Sequence, residues 1–245
     1  MSFLSHLDCL KSIVMEETLP ERLDCVVQLV PEGARVADVG TDHAQIPVAL
    51  VRSGRTPHVL AIDVAQGPLR RARQTCEDYS GQIEVRQSDG LLSVRPGEVD
   101  CVVLAGMGGL TIARILTEGR AVCKELQRVI VQPQGSQPEV RAVLLGMGWA
   151  CLDGRLVEDR GKIYTVEAWA PSSEPQLWSV DDLRWGRLQR ARGDALYRRW
   201  IQGELANSLQ ALERMIAAGQ GEHPDATRRR AEAQALRGEL ARCQP

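Results

Sequence analysis

The chain has 245 residues, 44% of them hydrophobic and 25% charged, the balance of a globular protein with one ordinary domain and a smaller appendage. A formal charge of −2 excludes a chain that is basic throughout, as a general nucleic-acid or membrane-surface binder would be. No apolar run approaches membrane-spanning length, and Asp8 without a basic stretch before it makes a poor secretory leader.

The charge is unevenly spread. From residue 181 onward 12 Arg stand against 9 Asp and Glu, an excess of +3, so the first 180 residues carry −5. A basic end of this kind suits an anionic partner and equally suits a solvated helical surface. The seven cysteines are scattered, odd in number and without a C-x-x-C pair. They are expected as reduced, mostly buried thiols in a cytoplasmic protein. His6, His43, His58 and His223 do not cluster with them, so no metal site is expected.

In chain order, residues 3–18 read as an amphipathic helix ending before Pro20, and 21–30 as a second helix closed by Pro31-Glu32-Gly33. Strands and helices then alternate: strand 35–39, helix 45–53, strand 58–62, helix 67–79 and strand 83–87. After the polar turn Ser88-Asp89-Gly90 come strand 99–104, helix 109–118, strand 128–132 and helix 137–147. Continuous apolar strands such as Cys101–Ala105 are those of a parallel sheet covered on both faces, so the body is α/β and doubly wound. The next two strands, 150–158 and 162–170, are too close in sequence for a parallel crossover and must form an antiparallel hairpin. A sheet that ends in one reversed hairpin is the arrangement of class I, Rossmann-like methyltransferases; NAD-binding folds keep the last strand parallel. Residues 171–180 read as a linker and 181–245 as a C-terminal helical hairpin, broken between Gly219 and Pro224.

Open α/β sheets bind ligands outside the carboxyl ends of their strands. Those ends carry Asp38 and Gly40, then Asp63, then Asp89-Gly90, then Gly106-Met107-Gly108-Gly109, then Gln132-Pro133-Gln134. A dinucleotide site wants G-x-G-x-x-G after the first strand, to bring a pyrophosphate onto a helix N-terminus. Here one glycine is flanked by acids that repel phosphate. S-adenosyl-L-methionine, with a sulfonium, an ammonium and no phosphate, fits better. Gly40 lets the backbone approach it, a carboxylate nearby takes the amino end, Asp63 accepts from the ribose hydroxyls and Asp89 from the adenine amino group, with Gly90 leaving room for the ring. Singly, Asp42 or Asp63 reads equally as a helix N-cap and Asp89 as a turn residue.

The segments "VADVGTDHAQIP", "AGMGG", "VQPQ" and "GKIYTVEAWA", followed by a helical tail, resemble the bacterial tRNA adenine-22 N1-methyltransferase family. The resemblance runs from about Arg22 to Ala170 and more loosely through Trp200. It implies a class I methyltransferase domain with a coiled-coil-like C-terminal domain, S-adenosyl-L-methionine as cofactor and tRNA as partner. It places the cofactor site on Asp38, Gly40, Asp63, Asp89 and Gly90, with Gly106 at the next strand end, and the catalytic aspartate on Asp42 beside His43. The segment 106–109 replaces the acid/amide-Pro-Pro-aromatic loop of exocyclic N6 enzymes. Two positions depart from the family pattern: Gln45 stands where an aromatic is common, and Gln134 where asparagine is usual.

Methylating adenine N1 leaves a cationic ring, so a carboxylate near the N6 amino group, here Asp42, stabilises the growing charge and can accept a proton. His43 suits an orienting or packing role. A base in structured RNA must leave its stack to react. Met107, Gly108, Gly109, Gln132, Gln134 and Tyr164 are the candidate substrate residues, Tyr164 reading equally as core. Arg187 and Arg198, within the arginine-rich first tail helix, are candidates for tRNA phosphates. A small-molecule methyltransferase using the tail as lid or dimerisation arm, and a non-catalytic RNA-binding module, are the competing readings.

Overall fold

The computed structural model describes residues 19–174 and 176–243. The helix expected over 3–18 lies outside the described residues. The first described helix, α1, is Glu21–Leu29, followed by β1 Val36–Val39, α2 Gln45–Arg52, β2 Val59–Asp63, α3 Gln66–Thr75 and β3 Ile83–Gln87. Then come β4 Cys101–Met107, α4 Gly109–Glu118, α5 Arg120–Cys123, β5 Arg128–Pro133 and α6 Gln137–Gly146. The hairpin strands β6 Trp149–Asp159 and β7 Lys162–Pro171 precede α7 Val180–Trp185, α8 Arg187–Arg192, α9 Ala195–Ala217 and α10 Pro224–Arg242.

Seven strands form one sheet in the order β3-β2-β1-β4-β5-β7-β6. β1 to β5 are parallel, and β7 is antiparallel to both β5 and β6, as expected. Asp159 pairs with Lys162, which leaves Arg160 (φ +49°) and Gly161 (φ +75°) as a two-residue turn. Left-handed backbone at both positions matches the twist of the strands it joins. The order reverses between β1 and β4, and that switch point opens the cleft described below.

The continuous apolar strands are explained by two cores. Along β4, Cys101 and Val103 enter one cluster with α1 and α2, while Val102 and Leu104 enter the other with Ile112, Leu116 and Leu144 of α4 and α6. Both faces of the sheet are therefore dry, and full burial of each such aliphatic side chain contributes about 1.5–3 kcal/mol.

The tail differs in detail from the expected hairpin. Its first helix is three pieces, interrupted at Gly186 and Gly193. The long pair α9 and α10 is antiparallel: Tyr197 near the start of α9 donates to Glu239 near the end of α10, and Ser208 lies against Arg229 and Glu232. Trp185, Tyr197, Trp200, Ile201 and Leu236 form a third core, and Leu156 and Ile163 of the β6–β7 hairpin pack against it. The expected linker is also packed, since Trp178 stacks on Trp169 with ring centroids 5.3 Å apart.

Beneath the tail lies a buried polar socket. Arg141 of α6 is ion-paired to Glu167 of β7 at 2.7 Å and donates to the carbonyls of Leu183 (2.7 Å) and Arg184 (3.0 Å) in α7. Gln189 of α8 donates to the same Glu167 carboxylate at 3.0 Å. Its side chain fits only because Gly154 and Gly186 have no Cβ: added there, one would fall 2.8 Å and 2.2 Å from Gln189 atoms.

Candidate functional site

β1 ends at Val39, and the chain turns sharply through Gly40, Thr41, Asp42, His43 and Ala44 before α2 begins. Gly40 (φ +79°) cannot be replaced cheaply, because a Cβ would sit 2.6 Å from Cε of Met107, which crosses from β4. Asp42 (φ +33°) and Ala44 (φ +54°) are also left-handed, backbone strain of the kind often stored at functional sites. A register shift between Ala105 and Met107 leaves Gly106 as a bulge in β4, unpaired with β5. Between these two loops lies a cleft of about 180 Å³. Of the sequence-predicted residues it gathers Asp38, Gly40, Asp42, His43, Gly106 and Gln134, and it adds Arg22, Leu23, Thr41, Gln45, Ile46 and Ala105.

Asp38 is buried at the cleft floor, 3% exposed. Burial pushes its carboxyl up to about 7, with the charge of Asp63 acting in the same direction and the Thr41 hydroxyl opposing. Thr41 Oγ1 is itself buried with no hydrogen bond of good geometry. Asp42 is not the N-cap of α2; that position is Ala44, which has no side-chain cap. Instead its Oδ1 accepts from Arg71 of α3 at 2.5 Å and 3.2 Å. His43 is exposed rather than packed under the loop, its Nε2 3.8 Å from Asp42 Oδ2.

The other acids stand outside the cleft. Asp63 Oδ1 accepts from the Ala65 N–H at 2.9 Å, a short side-chain turn into α3 whose N-cap is Ala65. Asp89 is exposed and paired with Arg114 at 2.8 Å; that guanidinium holds its carboxyl below the ordinary range. At Gly90 an added Cβ would lie 2.9 Å from Ile115, so α4 packs directly on this turn.

On the far wall, Gln132 is fully buried and its Oε1 accepts from the Gly106 N–H at 3.0 Å and from Arg22 Nη1 at 3.4 Å, while its Nε2 is unpartnered. Met107 accepts through its carbonyl from the Gln134 N–H at 2.9 Å. Gly108 is the N-cap of α4, and Gly109 donates to Gly135, where a Cβ would fall 2.3 Å from that carbonyl oxygen. Tyr164 is half-buried on β7 with the Arg22 guanidinium 5.8 Å over its ring. Arg187 lines a separate open hollow of about 400 Å³ with Ser172, Glu174, Gln176 and Leu177, and Arg198 is half-buried on α9.

The donor set fits S-adenosylmethionine and not a dinucleotide. A carboxylate floor behind a first loop with one glycine repels phosphate, and Asp63 and Asp89 stand at the ends of the next two strands in the sheet. A protein-family model described as a methyltransferase domain matches residues 19–166. Over 214 residues the chain is 30% identical to the tRNA (adenine(22)-N(1))-methyltransferase of Bacillus subtilis (strain 168), covering 84% of this chain and 90% of that protein. The chain belongs to this tRNA methyltransferase family. The crystal structure of the B. subtilis m1A22 tRNA methyltransferase matches with a TM-score of 0.75 at 27% identity, covering 92% and 97% of the two chains. A candidate tRNA (m1A22) methyltransferase from Streptococcus pneumoniae, in complex with S-adenosyl-L-methionine, matches at 0.80 with 28% identity, covering 91% and 99%.

In this methyltransferase two polar cleft residues, Arg22 and Thr41, and the arginine paired with Asp42, Arg71, escaped the sequence reading. Arg22 belongs to a helix that looks purely structural, and Thr41 lies between two conspicuous acids. Arg71 is one of three arginines along α3. Among the described residues no group of three or more His, Cys, Asp or Glu is placed to hold a metal ion, and no helix is long and apolar enough to cross a membrane.

Proposed function

We propose that Asp38, Gly40 and Gly106 hold the methyl donor of this S-adenosylmethionine-dependent enzyme, and that Asp42 serves the acceptor, N1 of adenine 22 in tRNA. When bound, S-adenosylmethionine supplies an electrophilic methyl group on a sulfonium. The observation that carries the assignment is the cleft itself, a buried carboxylate and the two left-handed glycines Gly40 and Gly106 with Asp42 at the lip. Asp38 takes the ammonium, while Asp63 and Asp89 receive the ribose and the adenine amino group on the rim.

Asp42 stands at the cleft mouth, where it faces the N6 amino group of the acceptor and stabilises the charge that N1 methylation creates. His43 beside it orients the loop. Gln45 and Gln134, both lining the cleft, flank the base, with Met107, Gly108, Gly109, Gln132 and Tyr164 forming the wall behind. Held in line with the methyl carbon, the base gains up to ~7–11 kcal/mol from positioning in favourable cases. Arg187 and Arg198 have no acidic partner among the described residues, unlike Arg190, Arg192 and Arg199. They are among the tail arginines free to meet tRNA phosphates, with residues 1–170 as the catalytic body and 181–245 as the tRNA-binding part. Five buried free thiols, Cys25, Cys76, Cys101, Cys123 and Cys151, suit a reducing cytoplasm.

Methyl incorporation from labelled S-adenosylmethionine into bulk bacterial tRNA, followed by nucleoside analysis, tests this. The wild type yields 1-methyladenosine, and Asp42→Ala loses roughly 100- to 10,000-fold in rate with cofactor affinity unchanged. Cofactor binding without tRNA methylation would point to a small-molecule acceptor instead.

A further inference from the structure

An acid-floored cleft meets only half of the ligand it is proposed to hold. The amino-acid end of S-adenosylmethionine carries an α-carboxylate beside its ammonium, and Asp38 and Asp42 repel that carboxylate. A matching site needs one fixed cation on the opposite wall. Among the described residues that line the cleft, Arg22 is the only guanidinium or ammonium; His43 is the only other basic group, and it is exposed at the lip.

Arg22 is held by four elements. It projects from α1, its Nε lies 3.3 Å from Asp159 Oδ2 at the end of β6, its Nη1 donates to Gln132 Oε1 on β5, and its guanidinium lies over Tyr164 of β7. Its Nη1 also sits 3.8 Å from where a Cβ on Gly106 would be, so the guanidinium stands beside that glycine at the cleft wall. Nη2 makes no hydrogen bond to another described residue. Asp159 is buried and its counter-charge allows a guanidinium to be kept here without a ligand. The result is a fixed, preorganised donor with a free edge, standing against the acids of the first loop.

We infer that Arg22 is the anion-binding residue of the cofactor site and receives the α-carboxylate of S-adenosylmethionine. The inference rests on the cofactor reading above and extends it to the N-terminal helix. Arg22 and Asp38 then read the zwitterionic end as a pair, one residue for each sign.

The test is calorimetric binding of S-adenosylmethionine and of decarboxylated S-adenosylmethionine, which keeps the sulfonium and amine and lacks the carboxylate. Wild type is expected to prefer the carboxylated ligand by roughly 10- to 100-fold, the range of a charge-assisted hydrogen bond. Arg22→Met should erase that preference while leaving the affinity for the decarboxylated ligand unchanged, and Arg22→Lys should restore part of it. Thermal melting checks that each variant is folded, and the lysine variant carries the test if the methionine variant is not. Equal losses for both ligands, or a preference that survives in Arg22→Met, overturn the inference. So does an unchanged cofactor affinity with weakened tRNA binding, which would assign Arg22 to a phosphate. A wild type that binds neither ligand would instead remove the cofactor reading itself.

Discussion

Arg141 and Asp38 are both buried, 1% and 3% exposed, and their surroundings differ in kind. Arg141 spends its guanidinium on the Glu167 carboxylate and two backbone carbonyls, and Glu167 is further bonded by Gln189 and Trp169. Asp38 has no ion-pair partner among the described residues, and burial lifts its carboxyl to about 7. A buried charge that is fully met locks elements together. One left without a counter-ion raises the cost of the empty protein and is relieved when a cation arrives. The molecule uses the first arrangement under the tail and the second at the cleft beside β1.

Breaking the satisfied site should have the largest effect. Arg141→Ala leaves Glu167 buried and uncompensated and is expected to cost about 3–5 kcal/mol in denaturant unfolding. The double variant Arg141→Met with Glu167→Leu should recover most of that loss, because no charge is then stranded. If the double variant is as unstable as the single one, the socket acts through packing and not through charge.

Asp38→Asn should behave in the opposite sense. The folded pKa of Asp38 lies above its unfolded value, so the cofactor-free protein holds an extra proton between about pH 4 and pH 7. Its contribution to stability therefore falls as pH rises through that window, by on the order of a few kcal/mol, and stays low above it. Asparagine removes this slope, so melts from pH 4 to 8 should converge at the acid end and show the variant more stable at pH 8. Affinity for S-adenosylmethionine should drop roughly 10- to 100-fold. In wild type it should improve as pH rises through about 7, a dependence that calorimetry should find missing in the variant.

The smallest effects belong to the surface arginines. Arg187→Ala and Arg198→Ala should each weaken tRNA binding a few-fold and reduce the salt slope by roughly 0.7–0.9, without moving cofactor affinity. Arg199, already paired with Glu158 at 2.6 Å, is the control and should leave the slope unchanged. A slope that changes with Arg199 as much as with Arg187 would mean that the intramolecular pairs do not decide which arginines meet RNA.

The order of elements and the reversed hairpin were readable because each rests on local rules. Strands such as Cys101–Leu104 are apolar throughout, and a two-residue turn at Arg160-Gly161 permits only one pairing. The acids at strand ends were readable for the same reason. What they touch was not: Arg71 on Asp42 and Arg114 on Asp89 are 29 and 25 residues distant, and nothing local fixes such pairs. Arg22 lies 110 positions from Gln132, so its place in the cleft emerges only once β5 and α1 are packed. The tail failed in another way. Its leucines have helical spacing, but Gly186 sits where Gln189 and Arg141 occupy the space of a side chain, so the helix breaks for a reason held in a different element.

The seat of Gln189 between Gly154 and Gly186 bears on how such an enzyme can be recombined. Residues 171–180 look like a convenient place to cut and exchange tails among relatives. A chimera joined there would give the incoming tail a receptor that it was not shaped with: Gly154, Glu167 and Arg141 on one side of the seam, Gly186 and Gln189 on the other. A join after Gly193 spares that seat but still divides the third core, where Trp185 of α7 and Leu156 and Ile163 of the hairpin meet α9 and α10, so α7 and α8 are inherited with the body and the incoming helices must match them.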